Sequence, residues 1–116
     1  MKILFIHTSS PHGTVNAQEG LDAVLMGSAF SACSLLFIGE GVLQLLKGQD
    51  LSLLGTKDFA RSFGAMRDYG LSRIYCDQQS LNKYGLTNDD LVIDIAPLDV
   101  SAIQGLLQEH DKVLSF

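Results

Sequence analysis

The sequence predicts one α/β domain over residues 1–116: a mostly parallel five-stranded sheet in a three-layer fold, with helices on both faces. Two observations carry that reading. Short apolar runs, each closed by Gly, Pro or polar residues, alternate with helix-period segments along the whole chain. The runs at 34–38 and 91–96 are close to continuously apolar, as suits strands buried on both faces of a parallel sheet. In such sheets ligands and reactive groups sit beyond the carboxyl ends of the strands.

The first strand is Lys2–His7, a β-type run that leads into the polar loop Thr8-Ser9-Ser10-Pro11-His12-Gly13-Thr14. A helix follows, capped by Asn16 with Glu19 at the capping-box position. Ala17, Leu21, Val24, Leu25 and Ser28 share its inner face at 3.6 spacing. The second strand is Ser34–Ile38, closed by Gly39-Glu40-Gly41, and Val42–Leu46 makes a helical turn or two. Thr56 caps a further helix that buries Phe59, Phe63 and Met66 and stops at Gly70. The third strand runs from Ser72 to Tyr75 or Cys76, and Asp77–Tyr84 is a two-turn helix closed by Gly85. After the polar loop Thr87–Asp90 comes the fourth strand, Leu91–Ala96, ended by Pro97. Asp99 caps the last helix, with Leu98 and Ile103 as a hydrophobic staple and Ile103, Leu106 and Leu107 as its buried stripe. Lys112–Phe116 is the last strand.

A domain of 116 residues can bury a core without metal or disulfides. The net charge of -5 excludes direct nucleic-acid binding, because no basic surface would displace phosphate counterions. Charged residues are 18% and hydrophobic ones 47%, so part of the surface is expected to lie against partners. The uncharged stretch Ala23–Gly39 is too short and too broken for a membrane span. No signal peptide is legible, and the two cysteines lack any CxxC or metal spacing. The chain is read as cytoplasmic with reduced thiols.

Cys76 is the candidate reactive residue. It stands where the third strand hands over to a helix, whose positive end favours a thiolate, while Asp77 beside it opposes one. Cys33 opens a buried strand at the other edge of the sheet and reads as core. The Ser9–Thr14 loop could cradle an anion at a helix start, but it has neither a P-loop nor a dinucleotide fingerprint. Its Thr, Ser and Gly content is similar to the phosphate loop of flavodoxins; the lack of Trp and of aromatic-bearing loops leaves an FMN-binding protein as the lesser alternative. His7, His12 and His110 have no ligand spacing, so no metal is expected. Glu40, Asp89 and Asp90 read as solvated loop carboxylates. No cofactor is expected.

A series of motifs then adds up. Ser10-Pro11-His12-Gly13-Thr14 follows the first strand, then come Glu19–Ala23 and Gly41–Gln49. Tyr75-Cys76, Ser80–Leu86, Pro97-Leu98 and Asp111–Phe116 complete the series. Together they resemble the TusC/DsrF-type subunits of the DsrE/DsrF/DsrH-like sulfur-transfer family, in order and over nearly the whole chain. The resemblance implies a DsrE-like fold and assembly with TusB-like and TusD-like subunits as a dimer of heterotrimers. It implies a relay that receives persulfide sulfur from a TusA-like carrier and passes it through a TusE-like carrier for 2-thiolation of the tRNA wobble uridine. The alternative within the family is a DsrF-type role in dissimilatory sulfur oxidation. The relay cysteine of the family belongs to the TusD/DsrE subunit, at a position matching Cys76. The resemblance therefore implies a structural and positioning subunit, with Cys76 as a candidate persulfide site.

Overall fold

The computed structural model describes residues 2–9, 16–27, 32–46, 73–91 and 95–116, with residues 16–18, 21 and 25 as backbone only. The expected Ser10–Thr14 loop and the Thr56–Gly70 helix lie outside the described residues. Five strands form one sheet: β1 (Lys2–His7), β2 (Ala32–Phe37), β3 (Ile74–Asp77), β4 (Ala96–Leu98) and β5 (Lys112–Ser115). Their order is β4-β3-β2-β1-β5 and every neighbouring pair is parallel. The helices are α1 (Asn16–Gly27), α2 (Gln78–Lys83) and α3 (Val100–Glu109), with 3-10 segments at Gly39–Leu45 and Asn88–Asp90.

Side-chain alternation divides the core between the two faces of the sheet. Phe5, Leu35, Phe37, Ile74 and Cys76 pack on one face against Val24 of α1, Leu81 of α2 and Val42 and Leu45 of the first 3-10 segment. Leu4, Ile6 and Leu36 pack on the other against Leu106 of α3, flanked by Tyr75, Leu98 and Ile103. Helices thus cover both faces. Leu4 to His7 and Cys33 to Phe37 are buried without interruption, the reason β1 and β2 need apolar residues on both sides.

Local chemistry sets the ends of the helices. Asp99 accepts the Ala102 N–H at 2.8 Å and caps α3, and its staple residues Leu98 and Ile103 join the same cluster. Asp77 caps α2. Gly85, at φ +67°, closes it: Gly85 N–H donates to the Asn82 carbonyl and Leu86 N–H to that of Leu81, a Schellman arrangement that needs a left-handed residue. Asn16, expected as a cap, is the first residue of α1 itself.

Several expectations are corrected. β2 begins at Ala32 and ends at Phe37, and β3 runs to Asp77. Of the expected fourth strand Leu91–Ala96, residues 92–94 lie outside the described residues. Leu91 makes an isolated antiparallel bridge to Leu46, and the parallel strand is Ala96–Leu98 with Pro97 inside it. Because β4 is an edge strand, the missing N–H of Pro97 costs no ladder bond. Thr87–Asp90 is a structured turn, in which the Asp90 carboxylate accepts the Thr87 N–H at 2.8 Å. Leu107, expected in the buried stripe, is 37% exposed.

The carboxyl edge of the sheet as candidate functional site

Because all five strands are parallel, their carboxyl ends share one edge. His7, Phe37, Cys76 and Phe116 meet there. Cys76 is fully buried, in register with Phe37. Burial pushes its thiol up to about 12, with the adjacent Asp77 carboxylate adding to the effect. The thiol therefore stays protonated at pH 7. The helix end that was expected to favour a thiolate is occupied otherwise: the Asp77 carboxylate accepts the Ser80 N–H at 3.2 Å and its Oγ–H at 2.6 Å. Desolvation outweighs the dipole of so short a helix.

Ser80 is a clamp that the sequence did not reveal. Its Oγ also accepts the Gly39 N–H at 2.7 Å, so one buried hydroxyl joins the end of β2 to α2 across 41 residues of chain. Gln44 is a second such clamp. It lies fully buried in an otherwise apolar turn, and its Nε2 donates to the Ser9 carbonyl at 2.8 Å. A lone Gln within Val42–Leu46 was the only sequence signal. A third device is Gly41, where an added Cβ would stand 1.9 Å from the His7 carbonyl oxygen. The chain after β1 and the chain after β2 therefore touch backbone to backbone.

His7 is buried in this contact, stacked on Phe37 at 5.0 Å and tilted against Phe116 at 6.3 Å. Burial lowers its pKa to about 4, so it is neutral at pH 7. His110 lies elsewhere, near the start of β5. Its Nδ1 is 2.7 Å from the Leu106 carbonyl and its Nε2 is 3.0 Å from Ser34 Oγ. A carbonyl only accepts, so Nδ1 donates to it, and Nε2 is paired with the Ser34 hydroxyl. Cys33, on β2 in register with Ile3, is buried, and desolvation raises its thiol pKa. Glu40, Asp89 and Asp90 are exposed. The structure thus brings Cys76 and His7 to one edge and leaves Cys33 and His110 apart from them; His12 lies outside the described residues. Among the described residues, no three His, Cys, Asp or Glu side chains gather as a metal site, and no helix is long and apolar enough to cross a membrane.

The arrangement is suited to holding segments in place and poorly suited to offering a nucleophile from this chain alone. Comparison with known proteins is consistent in fold and family. The DsrE/DsrF-like family profile matches residues 1–116. A TusC homolog of Vibrio vulnificus is 39% identical over 99% of this chain and 98% of its own length. The intracellular sulfur oxidation protein DsrF of Allochromatium vinosum is 37% identical over 99% of this chain and 96% of its own. In structure, the ychN protein of E. coli superposes with a TM-score of 0.85 at 15% identity, covering 99% of this chain and 98% of that one, which speaks to the fold. A Methanobacterium thermoautotrophicum protein of unknown function superposes at 0.70 with 14% identity, covering 99% and 98%.

Proposed function

Because the chain belongs to the DsrE/DsrF-like family, we propose that it is the positioning subunit of a cytoplasmic sulfur-relay complex. In this reading residues 1–116 act as one domain. The chain assembles with TusB-like and TusD-like subunits and helps pass persulfide sulfur from a TusA-like to a TusE-like carrier, for 2-thiolation of the tRNA wobble uridine. The carriers touch the complex, and the tRNA does not touch this chain. What supports the positioning role is one observation: Cys76, the thiol at the carboxyl edge, is fully buried with its pKa pushed up to about 12. A carrier must expose a thiolate to attack a donor persulfide, and both cysteines of this chain are buried.

The test is sulfur transfer through the reconstituted complex carrying Cys76→Ser in this subunit. Transfer is expected to continue at the wild-type rate, and mass spectrometry of the wild-type subunit after a persulfide donor should show no added sulfur. Loss of transfer, or an added sulfur atom on Cys76, makes this subunit a carrier and overturns the reading. Similarity to DsrF supports a second reading, a role in dissimilatory sulfur oxidation. Genes for a dissimilatory sulfite reductase beside this one would favour it; genes for tRNA thiolation would favour the first.

A further inference from the structure

The strand that carries Cys76 runs directly into α2, a helix of six residues. At 1.5 Å per residue it is about 9 Å long. A helix so short does not form by its own propensity, so α2 exists through what fastens it to the body. Asp77, the last residue of β3, caps its start, and Gly85 closes its end. Between those points two residues are buried, Ser80 and Leu81, while Gln79, Asn82 and Lys83 are exposed. Leu81 belongs to the apolar cluster that contains Cys76, and Tyr84 and Leu86 just beyond the helix pack against the same cluster. α2 is thus a short strap laid on the cluster in which the thiol is buried.

The polar part of the fastening is Ser80. Its Oγ–H donates to Asp77 Oδ2 at 2.6 Å, and its Oγ accepts the Gly39 N–H at 2.7 Å. Gly39 opens the 3-10 segment after β2 and lies at φ +60°, the left-handed region that glycine permits. The turn after β2 thereby presents an N–H to a helix that follows β3. The bonds run from amide to hydroxyl to carboxylate, and Ser80 is 6% exposed. A charge-assisted bond in such surroundings is stronger than a neutral one in water. Removing the hydroxyl would leave the Gly39 N–H without this acceptor and take one donor from the Asp77 carboxylate. That carboxylate would keep the Ser80 N–H at 3.2 Å, so the helix cap itself survives. The hydroxyl therefore serves the attachment of α2 more than its helical form.

We propose that α2 is a strap that governs access to Cys76, held shut by the Ser80 hydroxyl. Shut, it keeps the thiol inside the apolar cluster. Lifted, it uncovers the end of β3, while β3 stays paired to Phe37 on one side and Pro97 on the other. Such a local opening needs less free energy than unfolding the sheet. The proposal goes beyond the positioning reading, since it concerns what controls the thiol and not what the complex passes on.

Alkylation of the folded full chain by N-ethylmaleimide, read by peptide mass spectrometry, tests it. The thiolate sulfur adds across the maleimide double bond and the neighbouring carbon takes a proton, so each event adds the mass of one reagent molecule. In the wild-type chain at low urea, Cys76 labelling should rise with a slope far below the m-value of global unfolding. Ser80→Ala should speed Cys76 labelling about tenfold or more, the factor for one lost buried bond, and leave Cys33 labelling unchanged. Gln79→Ala, exposed on the same helix, should leave both rates within about twofold of wild type. A Cys76 slope equal to the unfolding m-value overturns the proposal, and that measurement needs no variant. So does Ser80→Ala labelling at the wild-type rate or speeding both thiols alike. These rates are read with a small reagent on this chain, whereas the relay reading is tested by sulfur transfer, so the two fail separately.

Discussion

At the carboxyl edge of the sheet His7 lies fully buried among aromatic rings, with the Gly41 backbone against its carbonyl. Near the amino edge His110 is also buried, and its ring nitrogens are engaged by the Leu106 carbonyl and by Ser34. Around it stands an exposed ionic rim, with Arg73 2.6 Å from Glu109 and Asp111 accepting the Lys2 N–H at 2.7 Å. Arg73 holds the Glu109 carboxyl below its usual range. Both edges use directed side-chain bonds, but only the carboxyl edge adds close backbone approach at Gly41, and only the amino edge adds a rim of exposed ion pairs. The difference teaches that the edge where a parallel sheet offers chemistry is here given over to immobilising chain, with its thiol and imidazole both uncharged at neutral pH.

The contrast can be broken most sharply at Gly41. Gly41→Ala would place a methyl group 1.9 Å from the His7 carbonyl oxygen, so backbone must move. A loss of about 3 kcal/mol or more is expected in urea unfolding, of the size that overpacking reaches at its upper end. A change below 1 kcal/mol (roughly the effect of an ordinary surface substitution) would show that the two backbones are not in contact.

Acid sharpens it next. The folded pKa of His7, about 4, lies below the ordinary 6.5, so between those values the unfolded chain binds the extra proton. Stability from this group is therefore full above 6.5, falls as the pH drops toward 4, and is spent below that. Between pH 6.5 and 5 the expected loss is about 2 kcal/mol, at 1.36 kcal/mol per unit. His7→Phe keeps a ring in the stack and should flatten that slope. An unchanged slope would assign the acid sensitivity to other groups.

The smallest effect belongs to the other edge. Ser34→Ala deprives the His110 Nε2 of its buried hydroxyl partner, and a loss of about 1–2 kcal/mol is expected. His110→Ala combined with it should show non-additivity in a double-mutant cycle. Strict additivity would deny the bond.

What the sequence determined by itself is local or periodic. Continuous apolar runs such as Leu35-Leu36-Phe37 demand burial on both sides, and that demand alone implies parallel strands with helices above and below. Asp99 and Gly85 announce helix ends because capping chemistry acts over three or four residues. The chain of motifs from Ser10 to Phe116 carried the family. What only the tertiary structure decided depends on neighbours far along the chain. Pro97 sits within a strand because that strand is an edge, a property of sheet order that no local pattern encodes. Leu107 is exposed because α3 meets the sheet along Ile103 and Leu106, leaving Leu107 to the flank. Ser80 reaches Gly39 and Gln44 reaches Ser9 across 41 and 35 residues, so neither clamp has a local signature. The state of Cys76 follows the same logic: position next to a helix start favoured a thiolate, but packing of both sides of β3 removed the water a charged sulfur requires.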